Sequence, residues 1–209
     1  MLAPDGSVVG ADLDETQLAV AREEAARAGV TNVEYRVADV AAVGNDNERF
    51  DVVYCRFLLT HLPDPGAAVV GIRHRLVPGG VIIVEDIDCS GHFAQPPVAA
   101  FDRYVEWYSR TAEGRGCDPN IGPRLPSLLA GAGLRDINMN VVQPAGLTGE
   151  VKLIAPITLE AIADSVLVAG LATPAEIQQT IDELSSFATT DGTVMSLPRI
   201  VQAWGRAAD

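Results

Sequence analysis

The stretch VVGADLDE, residues 8–15, joins an apolar segment directly to the start of a helical pattern. The segment Ser7 to Ala11 is short and apolar, which predicts a buried strand. Asp14 is a candidate N-cap, and the helix after it is predicted to run from Glu15 to Ala28. Asp12 is left at the junction, just past the end of the strand, where a ligand-binding side chain could lie.

The alternation of strand and helix continues beyond this stretch. Strands are predicted at Val33–Val37, Phe50–Cys55 and Val81–Glu85, and a helix is predicted at Ala67–Leu76. The nearly continuous apolar run of Phe50–Cys55 predicts a strand that is buried on both faces. The pattern predicts an α/β fold with a doubly wound, Rossmann-like, mostly parallel sheet, whose ligands bind at the carboxyl ends of the strands.

The second half of the chain is predicted to carry helical insertions. Helices are predicted at Pro97–Ala112, Pro126–Ala132, Leu159–Leu171 and Pro174–Phe187, and strands at Ile137–Val142 and near Ile200–Gly205. The aromatic residues Phe101, Tyr104, Trp107 and Tyr108 recur at helical intervals, which fits either core packing or a lid over an apolar acceptor. We predict a single domain, 1–209, with a cofactor-binding half at 1–90 and a substrate-side half with lid helices at 91–209.

Composition restricts the classes of partner. The chain has 209 residues, of which 48% are hydrophobic, and its net charge is −13, which disfavours nucleic acid and anionic membranes as partners. Its three cysteines form no C-x-x-C pair, so a disulfide framework or a zinc site is not expected and a cytoplasmic location is predicted. The segment Ala161–Ala172 is too short and too interrupted to span a bilayer, and no signal peptide is predicted.

Acidic residues follow two of the predicted strands at the edge where parallel strands end together. Asp12 could accept two hydrogen bonds from a ribose diol, and Asp39 could accept one from an exocyclic amine. Leu13 and Val40 could lie on either side of a flat ring. Together these residues fit an adenosine. The alternatives are that Asp12 faces the helix dipole and that Asp39 is an ordinary loop acid.

Four stretches have an order and spacing that resemble a known family. They are VVGADL at 8–13, VADV at 37–40, FDVVYCRFLLTHLPDP at 50–65 and LVPGGVIIVE at 76–85, and AWGR at 203–206 completes the set. The chain resembles the class I S-adenosylmethionine (SAM)-dependent methyltransferases, of the small-molecule group that includes the quinone-biosynthesis type. The resemblance implies a seven-stranded sheet whose last strand is antiparallel.

The resemblance also implies which residues bind the cofactor. They are Asp12 at the ribose hydroxyls, Leu13 on the adenine, Asp39 with the backbone of Ala38 and Val40 at the adenine amine, and Cys55 and Arg56 near the methionine portion. The chain departs from the family at its start, because only seven residues precede Val8, where the family has its first strand and a glycine-rich loop. We therefore expect an N-terminally truncated form of the fold, or a gap that another segment or a second copy fills.

The predicted function is SAM-dependent methyl transfer to a small apolar or aromatic acceptor, and whether the shortened chain is impaired is left open. No catalytic residue is identified. His61 and His92 are candidate bases, but each could be structural. The pair Glu85–Asp86 could contact an acceptor or a metal, but a lone acidic pair is too little for a metal site, and none is predicted. Cys55 is interpreted as a small buried hydrophobe rather than a nucleophile.

Two other classes stay open. A degenerate fold could serve as a non-catalytic module that binds a partner, and a homodimer is possible in either case. A nicotinamide-dependent oxidoreductase would also place an acid at a strand end. That class needs G-x-G-x-x-G about twenty residues before the acid, and the chain has no room for it before Asp12.

Overall fold

The structure is a computed structural model that describes residues 6–40 and 48–208. The chain divides into two compact units, Met1–Glu48 and Arg49–Asp209. This division does not test the predicted halves at 1–90 and 91–209, which stay predictions. Each unit is described by itself below.

The first unit contains two parallel strands and one helix. They are β1 (Val8–Asp12), α1 (Glu15–Arg27) and β2 (Val33–Val37). The register runs from Val8 opposite Val33 to Asp12 opposite Val37. The Asp14 side chain caps α1 by accepting a hydrogen bond from the amide of Thr16 at 2.8 Å. These elements confirm the predicted strands and helix, with end points that differ by at most one residue. The predicted burial of the first strand is wrong, because no residue of β1 is buried.

The second unit is larger. Its elements are β3 (Phe50–Arg56), α2 (Pro65–Arg73), β4 (Leu76–Asp88), β5 (Ala94–Gln95), α3 (Ala99–Gly114), α4 (Leu125–Gly131), β6 (Arg135–Val142), β7 (Ala145–Gly146), α5 (Ile154–Val168), α6 (Pro174–Thr189), β8 (Val194–Ser196) and β9 (Arg199–Arg206). Four strands form a sheet in the order β3-β4-β9-β6, in which β3 and β4 are parallel. The closing strand β9 is antiparallel to both of its neighbours, as the resemblance implied.

One face of this sheet is covered by helices. Side chains of β4 alternate between buried and partly exposed, and Ile82 and Val84 are on the buried side. The helices α2 and α4 lie against the sheet, α2 on β4 and α4 on β9 and β6. The apolar side chains of Val69 and Leu129 are fully buried there. This packing forms the core of the α/β part of the unit.

The bounds of one predicted strand and the burial of another are wrong. The strand predicted at Val81–Glu85 is part of β4, which runs from Leu76 to Asp88 and includes an irregular segment at Pro78–Gly80, where Gly79 has a φ of +71°. The strand β3 is not buried on both faces, since Val52 is 56% exposed and Tyr54 is 53% exposed. Among the described strands β3 pairs only with β4, so it is an edge strand. The face of β3 that carries Val52 and Tyr54 is exposed.

The helices α3, α5 and α6 form a second core. Its buried members include Phe101, Tyr104, Trp107, Leu159 and Leu184. The short strands β5, β8 and β7 form a three-stranded antiparallel sheet in the same part of the chain. Phe101, Tyr104 and Trp107 therefore serve core packing, which was one of the two uses predicted for the aromatic residues of this helix.

The single lysine of the chain is buried near this core. Lys152 is 1% exposed, and its ammonium donates to the hydroxyl of Thr193 at 2.6 Å. Further hydrogen bonds go to the carbonyl oxygens of Leu147 and Thr190 at 3.2 Å and of Thr193 at 3.3 Å. The ammonium thus joins the loop before α5 to the loop after α6 through oxygen acceptors alone.

Candidate active site

The predicted adenosine-binding residues of the first unit lie at one edge of its sheet. Asp12 is the last residue of β1 and stands opposite Val37, the last residue of β2. The ladder extends one step further, because the amide of Ala38 donates to the carbonyl of Asp12 at 3.0 Å. Asp39 follows directly, and the side chains of both acids are exposed. The structure brings these residues together at the carboxyl edge, and their role in binding stays a prediction.

Asp12 also has a local structural role. One of its carboxylate oxygens, Oδ1, accepts a hydrogen bond from the amide of Asp14 at 2.9 Å, while Asp14 itself caps α1. A carboxylate has about four acceptor positions, so this single bond leaves capacity for a ligand hydroxyl. The adjacent Leu13 is 65% exposed, which offers an open apolar surface to a flat ring. The local contact and a ligand contact are therefore compatible.

The end of β3 in the second unit has a strained turn that sequence reasoning missed. Phe57 has a φ of +52°, a left-handed conformation that is rare for a bulky residue. The guanidinium of Arg56 lies 4.6 Å from the centre of the Phe57 ring. Backbone strain of this kind is often found at functional sites. No pattern in the sequence signals a positive φ at a phenylalanine, and only its position after a strand end could have directed attention to it.

Cys55, beside Arg56, has a thiol with a raised pKa. Burial and, to a smaller extent, the nearby Asp86 carboxylate raise the pKa of the Cys55 thiol to about 11. A thiol with this pKa is almost entirely protonated near neutral pH, and the thiolate is the nucleophilic form. This supports the interpretation of Cys55 as a small hydrophobe rather than a nucleophile, although its side chain is only partly buried.

The acids Glu85 and Asp86 point to opposite faces of the sheet, as neighbours in a strand do. Asp86 is 0% exposed, and its carboxylate accepts from the amides of Thr60 at 3.0 Å and Ile87 at 2.9 Å. Burial raises the pKa of Asp86, and these amides oppose that effect. Asp86 therefore cannot contact an acceptor, and that part of the hypothesis is wrong.

Glu85 lies in a polar row that crosses the four-stranded sheet. Its carboxylate accepts from the side-chain amide of Gln202 at 2.7 Å and lies 3.7 Å from the guanidinium of Arg56. Gln202 in turn accepts from the side-chain amide of Asn140 at 2.9 Å. Within residues 6–40 and 48–208, no group of three or more His, Cys, Asp or Glu side chains is placed to hold a metal ion.

The candidate base His92 has the geometry of a structural residue. Its Nε2 donates to the carbonyl of Ser196 at 2.7 Å, and its ring packs edge-on against Phe101, with centroids 4.6 Å apart. Burial lowers the pKa of His92 to about 4, although the bond to Ser196 opposes the shift. A group with this pKa is neutral at pH 7 and is a weak base. His61 is exposed at the end of a 3₁₀ turn, Leu59–His61, and neither histidine is assigned a catalytic role.

Two cavities lie among the helices of the second unit. One of about 580 Å³ is formed at the C-terminal ends of α3 and α5, and Thr111, Arg115 and Ser165 line it. Another of about 210 Å³ lies between α5 and α6. Neither is lined by a predicted cofactor-binding residue. The lid role predicted for this region stays a prediction.

The sequence of the first part of the chain matches a known family. Residues 1–84 match the family model described as a methyltransferase domain. A ubiquinone biosynthesis O-methyltransferase of Leptothrix cholodnii is 38% identical over 82 residues, which cover 39% of this chain and 35% of that enzyme. The chain thus spans about a third of the length of this curated relative.

Solved structures match over almost the whole chain. A Bacillus halodurans C-125 protein assigned to the methyltransferases has a TM-score of 0.61 at 22% identity, covering 98% of this chain and 84% of that one. The phosphoethanolamine N-methyltransferase 2 of Haemonchus contortus, solved with S-adenosylhomocysteine (SAH), has a TM-score of 0.54 at 18% identity and covers 97% and 44%. At these identities the likeness is one of fold.

These comparisons confirm two predictions. The Rossmann-like α/β fold of the class I methyltransferases is confirmed by the structural matches. The resemblance to methyltransferases is confirmed for residues 1–84, which match the methyltransferase domain. The activity of the protein, its acceptor and the residues that contact the cofactor are left to the proposal below.

Proposed function

We propose that this chain binds SAM and transfers its methyl group to a small apolar or aromatic acceptor. The observation that carries the proposal is that Asp12–Leu13 and Ala38–Asp39 meet at the carboxyl edge of the β1–β2 sheet. This edge lies inside the region that matches the methyltransferase domain. Ligands of open α/β sheets bind at such edges.

Each unit, taken by itself, contains residues that would contact the cofactor. In the first unit the Asp12 carboxylate would hold the ribose hydroxyls, Leu13 would cover the adenine, and Asp39 would accept from its amine. The open surface of Leu13 and the remaining acceptor positions of Asp12 support this assignment. In the second unit Cys55 and Arg56 would lie near the methionine portion.

Methyl transfer from SAM requires little general acid–base catalysis by the protein. When bound, the cofactor would supply a methyl group on its sulfonium for in-line transfer to an acceptor oxygen. A carbon–oxygen bond would form as the carbon–sulfur bond breaks, SAH would be released, and the acceptor proton would pass to solvent. The contribution of the chain is alignment of the acceptor and exclusion of water.

A hydroxyl on an aromatic ring is the acceptor that we favour. The Leptothrix relative is named an O-methyltransferase of ubiquinone biosynthesis, which supports an oxygen acceptor on a small ring. The net charge of −13 disfavours nucleic acid and anionic membranes as partners. The described part of the chain contains no helix that is both long and apolar enough for a membrane crossing. A cytoplasmic location and a possible homodimer complete the proposal.

The experiment is calorimetric titration of the chain with SAM and then with SAH. We expect micromolar binding of both, and a loss of about tenfold in SAH affinity in Asp12→Asn and in Asp39→Asn, because each removes an anionic acceptor. Glu24→Gln is the matched control, since Glu24 is an exposed acid on α1 away from the strand ends. Its affinity should equal that of the parent chain.

Binding is followed by transfer of a labelled methyl group to a panel of small phenols. Label in the phenols supports the proposed acceptor, whereas label only in peptides contradicts it. A folded chain that binds neither SAM nor SAH contradicts the proposed function. Binding of NADH in place of SAH would favour the nicotinamide-dependent class instead.

A further inference from the structure

Glu85 and Asp86 are neighbours near the end of β4, and both contact the segment Cys55–Thr60. That segment contains the last two residues of β3, Cys55 and Arg56, and continues through the strained turn at Phe57. Two adjacent acids that both reach the same neighbouring segment call for a physical explanation.

Asp86 holds the segment from the covered face of the sheet. Its Oδ2 accepts the amide of Thr60 at 3.0 Å, and Thr60 belongs to the 3₁₀ turn Leu59–His61. The hydroxyl of Thr60 donates to the carbonyl of Asp118 at 2.9 Å, so the turn is also tied to the loop before α4. A carboxylate that is 0% exposed is costly unless donors of this kind satisfy it.

Glu85 holds the segment in two further ways. Its carbonyl oxygen accepts the amide of Phe57 at 2.8 Å, one step beyond the regular ladder between β3 and β4. Its carboxylate, oriented by Gln202, lies 3.7 Å from the guanidinium of Arg56. The guanidinium lies over the Phe57 ring and so covers the residue with the positive φ.

The left-handed turn at Phe57 is therefore bonded to β4 at residues before it and after it in the chain. Arg56 and Phe57 are attached to Glu85, and Thr60 is attached to Asp86. A strained conformation persists only where the surroundings over-determine it. The bonds from β4 supply that restraint, and they act on the residues expected to contact the methionine portion of the cofactor.

We propose that Glu85 and Asp86 are positioning residues, which hold Cys55–Phe57 in its cofactor-binding conformation from the two faces of the sheet. This inference rests on the proposed function, because it gives the turn a role in binding SAM. Neither acid touches the cofactor. Their effect passes through Arg56, Phe57 and Thr60.

The test compares Asp86→Asn with Asp88→Asn in the full chain. Asp88 lies on the same face of β4 and is 3% exposed, but it is held by Ser90 and Arg199 and not by the segment after β3. Both variants lose a buried anion, so both are expected to lower the melting temperature. SAH affinity is then measured by calorimetry at a temperature at which each variant is fully folded.

We expect SAH affinity to fall about tenfold in Asp86→Asn, a few-fold in Glu85→Gln, and less than about twofold in Asp88→Asn. A purely structural role for Asp86 would lower the melting temperature of both aspartate variants and leave their SAH affinities alike. Equal affinities in Asp86→Asn and Asp88→Asn, or unchanged affinity in Asp86→Asn, would overturn the proposal.

A second measurement separates this proposal from the proposed function. If the parent chain binds no SAH, the proposed function fails, and amide hydrogen exchange then tests the positioning role alone. Exchange at Phe57 and Thr60 should be about tenfold faster in Asp86→Asn than in Asp88→Asn. Equal exchange at these amides in the two variants would overturn the positioning role.

Discussion

The first unit contains the residues that we propose to bind the adenosine part of the cofactor, whereas the second unit contains almost all of the buried apolar side chains. The first unit lies entirely within the region that matches the methyltransferase domain. Among its described residues, however, Leu18 alone is buried. The second unit has one core beneath the sheet and another among α3, α5 and α6. The residues of the first unit that match the family are therefore mostly exposed, whereas the residues that stabilise the fold are buried in the two cores.

The largest expected effect compares one leucine from each unit. Leu159→Ala, in the fully packed core of the second unit, should lower the free energy of unfolding by about 4 kcal/mol. Leu18→Ala should cost about 2 kcal/mol, because its more open surroundings can relax and leave a smaller cavity. Urea unfolding followed by circular dichroism measures both values. Equal losses would show that the two units are packed alike.

The next effect concerns the buried ammonium. Lys152→Met keeps the length of the side chain but removes the ammonium that donates to the carbonyl oxygens of Leu147, Thr190 and Thr193. Among the described residues, only the carbonyl of Thr190 keeps another donor, the hydroxyl of Thr193. We expect a loss of about 3 kcal/mol in the free energy of unfolding. Arg110→Met is the control, since Arg110 pairs with Glu106 on an exposed helix face and should change stability by less than about 0.5 kcal/mol. A loss as small as that of the control would contradict the prediction.

A smaller effect depends on pH and on His92. The folded-state pKa of His92 is about 4, below its ordinary value of 6.5. Between these values the unfolded chain binds the proton and the folded chain does not, so stability falls as the pH is lowered through this window. The loss should be on the order of 3 kcal/mol, and it should be complete below about pH 4.

His92→Gln isolates this contribution. The glutamine amide can still donate to Ser196 but does not titrate, so the variant should lose the part of the pH dependence that His92 supplies. His74→Gln is the matched control, because His74 is exposed. Chemical denaturation at a series of pH values measures both. Identical pH profiles for the parent chain and His92→Gln would contradict the assignment.

The smallest expected effect on the free energy of unfolding is the loss of a helix N-cap, and it should be the same in both units. Asp14 caps α1 in the first unit, and Thr173 caps α6 in the second through a capping box with Glu176. Each substitution by alanine should cost about 1 kcal/mol, because the loss is a local hydrogen bond at a helix start. Urea unfolding of the two variants checks this. A much larger loss in one unit would mean that its cap is coupled to packing.

The sequence predicted those elements that local patterns specify. The helix α6 has Pro174 in its first turn, a signal that acts within a few residues of the helix start. The order of β1, α1 and β2 was likewise predicted from apolar periodicity. The shared edge of Asp12 and Asp39 follows from that order, because parallel strands end on the same side.

Features that depend on distant contacts could not be predicted. The exposure of Val52 and Tyr54 depends on what packs on their face of β3, and an apolar run does not specify this. The φ of Phe57 depends on bonds to β4. The short strands β5, β7 and β8 have too few residues to show a period. Each of these features results from tertiary contacts rather than from local propensity.

The environment of Lys152 has a practical consequence for chemical labelling. It is the only lysine in the 209 residues, and its amine is enclosed by oxygen acceptors. Acylating reagents that modify exposed ε-amino groups will therefore find no such group on the folded chain. Modification of Lys152 requires that the loops around it open first, so its rate of acylation measures how often this region opens while the protein stands in solution.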